Sequence, residues 1–558
     1  MSVADIIRKE LSEALAGVGV TLAAADVPLE HPAALSHGDY ATGVALAKAK
    51  EAGVNPRVLA EKLVAAMPQI SGVEKIEIAG PGFINFTLTS SAIGKSINEA
   101  RSTEKWGSGE ANASKKVMVE YTDPNPFKEF HIGHLVPNTI GESISRLYQF
   151  TGADVRRANY QGDVGRHVAR AIWGLMKNGE SPEDVKALGR AYAAGAAADV
   201  DGSEAKDEIT AINKKVYARS DAAINDLYDR GRKTSLDHFE ELYAMLGTKF
   251  DFYFFESEAG PSGKELVQSH IADGIFKESD GAMVYEGEKK GLHTRVFLNS
   301  EGLPTYEAKE LGLSKMKFEK FPYDLSIIVT GNEINEYFKV LLAAMSDVYP
   351  ELAAKTMHIS HGMMRLSEGK MSSRTGNVIT GESLLMELKE IAKERASQSR
   401  ADNPEKLAEE VAVGGIKFQI LKGAIKKDII FDRERALSLE GDSGPYLQYA
   451  YARTNAILAK AHESGVEPQV DETYAPNDVA RLVPRFPEVV ARAAAEFEPH
   501  YVTTYLIELA AAFNSWYAQE QVLDGTPRAA HKAALVQAVG RTLKNGLWVL
   551  GIPAPEKM

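Results

Sequence analysis

Cysteine is absent from this 558-residue sequence. Disulfide bonds, a thiol nucleophile and zinc sites built on thiolates are therefore excluded. The sequence also has no apolar run of membrane-spanning length, no signal-peptide core after Met1, no internal repeat and no low-complexity tract. We expect a cytoplasmic protein with no membrane-embedded part. The net charge of −13 reflects a deficit of basic residues, but RNA is not excluded, because its binding needs only a local basic surface.

The length of the chain and its hydrophobic pattern predict several domains. A content of 44% hydrophobic and 25% charged residues over 558 positions is typical of a globular chain with three or four domains. Residues 1–110 predict an α+β domain, because two alternating segments flank a Gly-Pro-Gly turn, at 73–78 and 83–88. Residues 111–380 alternate strand, loop and helix, which predicts a Rossmann-like α/β domain with a parallel sheet.

The remaining segments are expected to be mostly helical. Within the α/β domain we expect a helical insertion at about 175–290, with a short strand pair near 281–297. Residues 381–430 predict a helical connector, and residues 431–558 predict a separate all-α bundle. The four strands of the parallel sheet are expected at 116–121, 155–160, 325–329 and 357–360.

The string Phe130-His-Ile-Gly-His-Leu follows a predicted strand and opens a predicted helix. A helix N-terminus offers free N–H groups and a positive dipole end, which suit a phosphate. Gly133 would let a nucleotide approach the backbone, and His131 and His134 would donate to charge developing on a phosphoryl group. The alternative is a chance His-x-x-His pair that binds a metal or has no function.

A second string, Gly369-Lys-Met-Ser-Ser-Arg, lies far downstream. Its cations and hydroxyl groups could close over a triphosphate and stabilise the leaving pyrophosphate. The alternative is a solvated basic turn. The candidate residues for ATP in this string are Lys370, Met371, Ser372 and Ser373.

Together the two strings resemble the sequence marks of class I aminoacyl-tRNA synthetases. The segments at 119–135 and 159–167 are similar to arginyl-tRNA synthetases, and so are the N-terminal 36–46 and the tail from Tyr446 to Met558. The resemblance implies an enzyme that joins L-arginine to tRNA(Arg) with ATP and Mg²⁺, and a monomer. No large editing domain is evident between the two strings, so proofreading is not expected, and nothing in the sequence supports a metal site other than the Mg²⁺ bound with ATP.

Arginine selectivity has a physical signature. A guanidinium carries five N–H donors and no acceptor, so a selective pocket should offer carboxylates, for which Glu120 and Glu310 are candidates. By resemblance, Tyr306 packs against the substrate side chain, and Glu310 stands where the family has Asp. The resemblance also assigns Asn125 and Glu333 to the substrate α-amino group, with Glu333 in a position where Gln is expected.

Other candidates have plain structural alternatives. Asp163 would form the floor of the site, or cap a helix. Lys128 would be a second cation on the phosphates, or an ordinary loop lysine. Three residues lie where relatives bind adenine, although methionine is also common core filler: Gly362, Met363 and Met364.

The tail and the N-terminal domain carry candidates for RNA contact. Aromatic residues beside an arginine suit stacking on splayed bases, although such a stripe is usually core packing. The resemblance favours anticodon contact for Tyr449, Arg453, Tyr517 and Met558. It assigns Asn85 to the tRNA elbow.

Three other functions are alternatives. A small-molecule nucleotidyltransferase would share the His-x-x-His site, but it would not need the Lys370 string and a helical tail. A non-catalytic synthetase-like protein is expected to have lost a motif, and both are present. A cysteinyl enzyme needs zinc-binding cysteines, which this chain lacks.

Overall fold

A computed structural model describes residues 2–367, 380–396, 399 and 401–558. The N-terminal domain packs helices against a small antiparallel sheet. Its elements are α1 (Val3–Gly17), β1 (Tyr40–Thr42), α2 (Val44–Lys48), α3 (Pro56–Ala66), β2 (Val73–Ala79), β3 (Phe83–Leu88) and α4 (Ser90–Ser102). The strand order is β1-β3-β2, which confirms the predicted strand pair.

The central domain is built on five strands. They are β4 (Lys116–Glu120), β5 (Asp154–Gln161), β6 (Phe252–Phe255), β10 (Leu325–Gly331) and β11 (Thr356–His361). All four neighbouring pairs are parallel, in the order β11-β10-β4-β5-β6. Val117, Met118 and Val119 of β4 are fully buried, as expected for a strand covered on both faces.

Helices connect these strands and cover the sheet. They are α5 (Ile132–Phe150), α6 (Arg166–Asn178), α7 (Val185–Ala198), α8 (Glu204–Ala218), α9 (Ala222–Leu246), α10 (Glu256–Ser269), α11 (Tyr306–Lys320), α12 (Asn335–Val348) and α13 (Pro350–Lys355). Between α10 and α11 lies a small antiparallel sheet of β7 (Phe276–Ser279), β8 (Ala282–Tyr285) and β9 (Arg295–Leu298). In parallel α/β sheets, ligands bind at the carboxyl ends of the strands.

The C-terminal part is helical except for one short strand. That strand is β13 (Ile429–Phe431). It pairs in parallel with β12 (Met364–Leu366), which precedes the helical part. The helices are α14 (Gly381–Ala396), α15 (Pro404–Leu421), α16 (Arg433–Ala436), α17 (Gly444–Glu463), α18 (Asp478–Leu482), α19 (Phe486–Glu496), α20 (His500–Gln519) and α21 (Ala529–Val549). None of the helices in these described ranges has the length and apolarity of a bilayer-crossing segment.

Three details differ from the expectations. The strand β6 lies inside the segment expected to be a helical insertion, because a four-residue apolar run has no periodicity that distinguishes strand from helix. The expected strand pair near 281–297 is a three-stranded sheet that begins at Phe276. The strand β13 interrupts a stretch expected to be helical.

Candidate active site

The N-terminus of α5 carries two stacked histidine rings. His131 is the N-cap residue, and His134 lies in the first turn. The ring centroids are 3.7 Å apart, and the His131 backbone N–H donates to Nδ1 of His134 over 3.2 Å. Gly133 leaves room for this stack, since a Cβ there would lie 2.8 Å from Nδ1 of His131. The stack therefore stands at the positive end of the helix, where a phosphate is favoured.

Burial, and next the neighbouring positive charge, keeps both rings neutral. Burial, and next the charge of Lys128, lowers the pKa of His131. Burial also lowers the pKa of His134 well below its usual value, with further lowering by His131 and Lys128. Near neutral pH each ring thus carries one N–H donor. Glu333, exposed just beyond β10, opposes the fall in the pKa of His131, so it faces the histidine side of the site.

The segment between β4 and α5 holds three non-glycine residues in the left-handed region. The φ angle is +82° at Thr122, +48° at Asp123 and +67° at Phe127. Such conformations cost roughly 1–3 kcal/mol each and persist only where neighbours hold them. Here the Tyr160 N–H donates to the Asp123 carboxylate over 2.8 Å, and the Phe127 N–H donates to the Ser235 hydroxyl over 2.9 Å. The segment is thereby fixed between β5 and α9.

Asn125 lies in the same segment and touches the turn that follows β5. Its Oδ1 accepts the Gly162 N–H over 3.1 Å. A Cβ at residue 162 would lie 2.3 Å from this oxygen and 3.1 Å from Oε1 of Glu256. This close packing places Asn125 beside the carboxylate of Glu256.

Carboxylates from three parts of the chain gather at the carboxyl end of β4. Glu120 is buried, and its Oε2 lies 2.7 Å from Nζ of Lys317 on α11. Burial raises the pKa of Glu310 well above the ordinary carboxyl value, and Glu120 and Asp123 raise it further. Burial and Glu120 likewise raise the pKa of Asp123. The cluster thus concentrates carboxyl groups whose ionised forms a cationic ligand would stabilise.

A second ion pair and an aromatic group border this cluster. Glu256 on α10 accepts from Nζ of Lys309 over 2.5 Å, and both side chains are buried. The same Nζ lies 5.3 Å from the ring centroid of Tyr306, which is 63% exposed. Tyr217 receives a 3.4 Å hydrogen bond from Lys309. Tyr306 is therefore positioned to cover the cluster from the solvent side.

Asp163 is saturated by protein donors. Its carboxylate accepts from Nε of Arg232 over 3.0 Å, from the Tyr228 hydroxyl over 3.2 Å, and from the backbone N–H and hydroxyl of Ser257 over 2.9 and 2.8 Å. Ser257 lies in the first turn of α10, so Asp163 caps that helix rather than α6, whose N-cap is Gly165. Of the two sequence-based hypotheses, these contacts favour a capping role over direct contact with a substrate.

The second string lies outside the described residues, with Lys370, Met371, Ser372 and Ser373. The chain on either side of it is anchored at the site. Before the string, β12 pairs with β13. After it, Thr380 forms a bridge with His131, and the Gly381 N–H donates to the Phe130 carbonyl over 2.7 Å. The chain thus returns directly to the histidine pair.

The three residues expected near adenine differ in what they expose. Gly362 packs so closely that a Cβ there would lie 2.2 Å from the carbonyl oxygen of Lys427. The Met363 side chain is 41% exposed, and Met364 is buried in the core. The side chain of Met364 is therefore a core residue, which is the structural alternative to adenine binding.

The candidates for RNA contact occupy two separate regions. The guanidinium of Arg453 lies 4.7 Å from the ring centroid of Tyr449 and 5.6 Å from that of Tyr517, so the fold joins α17 and α20 in one aromatic group. Asn85 lies on β3 in the N-terminal domain, opposite Ala41. Met558 is half-buried at the chain end.

Four charged residues of the site were missed from the sequence: Asp123, Glu256, Lys309 and Lys317. Asp123 had a usable signal, because it follows a predicted strand where site residues are expected. Lys317 stands seven residues after Glu310, which places both on one face of a helix. On its own, however, a lysine in a charged helix is normally solvent-exposed.

Family models match three consecutive parts of the chain. The model described as "tRNA synthetases class I (R), catalytic domain" matches residues 97–433. The "DALR anticodon binding domain" matches residues 447–558, and the "Arginyl tRNA synthetase N terminal domain" matches residues 3–88.

Curated relatives match along nearly the whole chain. An arginine–tRNA ligase of Streptococcus mutans is 32% identical over 545 residues, which is 95% of each chain. One from Clostridium perfringens is 31% identical and covers 90% of this chain and 91% of its own. The Thermus thermophilus arginyl-tRNA synthetase structure aligns with a TM-score of 0.77 at 27% identity, over 99% of both chains. That of Plasmodium falciparum, at 21% identity, shares the fold with a TM-score of 0.81 over 99% of this chain and 98% of its own.

Proposed function

The chain belongs to the arginyl-tRNA synthetase family, and from this we propose that the cluster between β4 and α11 binds arginine while the α5 N-terminus binds ATP. The protein is an ATP-dependent arginine–tRNA ligase. The observation that supports the site assignment is a neutral histidine pair at the N-terminus of α5 together with a carboxylate cluster at the carboxyl end of β4, the strand that precedes this helix.

The reaction has two steps. The arginine carboxylate attacks the α-phosphate of ATP, forming arginyl-adenylate and releasing pyrophosphate. The terminal ribose hydroxyl of tRNA(Arg) then attacks the activated carbonyl, and AMP leaves. Side chains do little covalent work in such transfers, so positioning and electrostatic stabilisation dominate.

Each half of the site has a distinct role. His131 and His134 donate N–H groups to the α-phosphate in the transition state, and Lys128 adds positive charge beside them. Gly362 and Met363 border the adenine. Lys370, with Met371, Ser372 and Ser373, stabilises the departing pyrophosphate. We propose that ATP enters as its Mg²⁺ complex.

In the arginine half, Tyr306 covers the substrate side chain while Glu120 and Glu310 form the acidic wall. Asn125 contacts the α-amino group. Asp163 holds α10 in place beneath them. Glu333 lies near His131 and raises its pKa. Glu333 can therefore contact the α-amino group only if the substrate backbone lies between the histidine pair and the carboxylate cluster.

RNA contacts complete the proposal. Tyr449, Arg453 and Tyr517 stack with anticodon bases, Met558 at the end of the same domain also contacts the anticodon, and Asn85 contacts the tRNA elbow. The domains would run 1–110, 111–380, 381–430 and 431–558, and the enzyme would act as a cytoplasmic monomer.

A charging assay with total tRNA and each amino acid in turn tests the function. We expect acid-precipitable incorporation of the amino acid into tRNA only when that amino acid is arginine. Charging with another amino acid, or none with arginine, would refute the specificity.

His134→Ala tests the histidine assignment. Because removal of one transition-state donor typically costs roughly 100- to 1,000-fold in rate, arginine-dependent ATP–pyrophosphate exchange should fall by that amount. The exchange is run with and without tRNA, since the family resemblance implies that adenylate formation needs bound tRNA. An unchanged rate in the variant would show that the pair is not catalytic.

A further inference from the structure

The first turn of α14 lies against the residues that open α5. Thr380 forms a bridge with His131, and the Gly381 N–H donates to the Phe130 carbonyl over 2.7 Å. A Cβ at residue 381 would lie 2.9 Å from Cδ1 of Phe130 and 3.1 Å from the His131 carbonyl oxygen. A shift of this turn would therefore displace the backbone of the histidine pair.

A cavity lies beside this turn. Its volume is about 240 Å³, and it lies between α7, α9, α14 and the segment that precedes α5. Its apolar lining includes Phe127, Leu188, Phe239 and Met386. Because a void offers no atoms for van der Waals contact, core packing does not hold the first turn of α14 on this side.

A polar contact from α9 reaches the turn beside this cavity. Nε2 of His238 lies 3.0 Å from Oε2 of Glu382, which belongs to the first turn of α14. Nδ1 of the same ring lies 3.5 Å from Oε2 of Glu241, whose side chain is 76% exposed. His238 and Glu382 both line the cavity. Their contact therefore joins α9 to α14 at the place where packing does not.

The same face of α9 also holds the chain on the other side of the histidine pair. Ser235 stands three residues before His238, so the two side chains are neighbours on the helix surface. The Ser235 hydroxyl accepts the Phe127 N–H over 2.9 Å, and Phe127 has a φ angle of +67°. One face of α9 thus holds the chain that leads into α5 through Ser235 and the chain that leads into α14 through His238.

We propose that His238 is a positioning residue for ATP. Through Glu382 it holds the first turn of α14 against His131, and so it fixes the place of the histidine pair relative to the phosphates. His238 acts through Glu382 and does not itself touch the substrate. The inference rests on the proposed function, because it assumes that the histidine pair binds ATP.

The exposure of the contact separates its effect on activity from its effect on stability. The Glu382 side chain is 41% exposed, and ion pairs that reach solvent contribute little to the free energy of unfolding. A displacement of about 1 Å near the reacting groups can lower a rate by roughly 100-fold. Loss of the contact should therefore reduce the reaction much more than the stability of the fold.

Glu382→Ala and His238→Ala remove the contact from either end. In arginine-dependent ATP–pyrophosphate exchange with tRNA present, each should lower kcat/KM for ATP by roughly 10-fold, a part of the loss that a 1 Å displacement causes. KM for arginine should stay constant, and Tm should fall by less than about 4 °C. The double variant should be no worse than the more affected single variant, because both substitutions remove the same interaction.

Two further variants are controls. Glu241→Ala removes the longer contact of the same ring and should leave kcat/KM for ATP unchanged. His238→Gln keeps a side-chain N–H donor for Glu382 and should recover most of the activity that His238→Ala loses.

The outcomes separate this inference from the proposed function. The inference fails if Glu382→Ala and Glu241→Ala have the same kcat/KM for ATP, if the two alanine effects multiply in the double variant, or if His238→Gln recovers nothing. It also fails if KM for arginine and Tm change in proportion to kcat/KM for ATP, because the contact would then be merely structural. If the wild-type enzyme shows no arginine-dependent exchange, or if His134→Ala leaves the exchange intact, the proposed function or its histidine assignment fails instead.

Discussion

Glu310 brings a half-buried carboxyl group to α11, close to those of Glu120, Asp123 and Glu256. Its pKa is raised first by burial and then by these neighbours. A carboxyl group whose pKa is raised in the folded state stabilises the protein at low pH, and this contribution is lost as the pH rises through the raised value. The empty enzyme should therefore lose stability on the alkaline side, where Glu310 ionises without a partner.

Arginine should reverse this loss, because a bound guanidinium favours the ionised form of Glu310. We expect the arginine-induced increase in Tm to grow in the wild-type enzyme as the pH is raised above about 4.3, the ordinary pKa of a glutamate. Glu310→Gln has no carboxyl group to titrate, so its Tm without arginine should fall less over the same range. Differential scanning fluorimetry measures both quantities. An arginine-induced shift that is constant over this range would contradict the explanation.

Some residues of the site were predictable from the sequence and others were not, for physical reasons. His131 and His134 belong to a short string whose local geometry, a helix N-terminus, is encoded by neighbouring residues. The partner of Glu120 is Lys317, 197 residues away, and only the fold brings the two together. Likewise, the helix whose first turn Asp163 contacts begins at Glu256, 93 residues further along the chain.

At the scale of secondary structure, the chain around the second string depends on the short parallel pair of β12 and β13. Gly362 precedes β12, and its N–H donates to the Ile425 carbonyl over 2.9 Å. The Met363 N–H donates to the Asp428 carboxylate over 2.9 Å. The backbones approach so closely at Gly362 that a methyl group has no space. The strand pair thus fixes the chain that leads up to the second string.

Gly362→Ala should separate the two strands. A Cβ would lie 2.2 Å from the Lys427 carbonyl oxygen, and overpacking of this kind typically costs about 1–3 kcal/mol. We expect a lower Tm and a higher KM for ATP in pyrophosphate exchange, with KM for arginine little changed. Gly423→Ala is the matched control, because nothing lies within 4 Å of its Cβ position. Equal effects of the two substitutions would show that the close approach at Gly362 is unimportant.

Secondary structure was predicted best where hydrophobic periodicity runs through a long element. The all-α bundle expected at 431–558 contains the long helices His500–Gln519 and Ala529–Val549. The four-residue strand Phe252–Phe255 was missed, although it pairs with β5 at the edge of the main sheet. A run that short gains its identity from the neighbouring strand and not from its own pattern.

At the scale of the whole molecule, the N-terminal domain contacts the C-terminal helices directly. The buried Asp39 carboxylate accepts from the Leu88 N–H over 2.8 Å and from Nε of Arg481 over 2.7 Å. The Tyr40 hydroxyl donates to Glu488 over 2.7 Å. These contacts join β1 and β3 to α18 and α19. The two domains that carry the proposed tRNA contacts are therefore held in a fixed relation.

Arg481→Met should loosen this relation without altering the active site. Asp39 would keep a buried charge with one partner fewer, which costs about 3 kcal/mol when a buried ion pair is broken. Because Asp39 also holds β3, the strand that carries Asn85, we expect faster amide exchange in 83–88 and a higher KM for tRNA. KM for arginine at saturating tRNA should stay constant. Arg492→Met removes an exposed i,i+4 pair with Glu496 and a contact with Tyr501 and should cost at most about 1 kcal/mol. A KM for tRNA that is the same in both variants would mean that tRNA binding does not depend on how the two domains are joined.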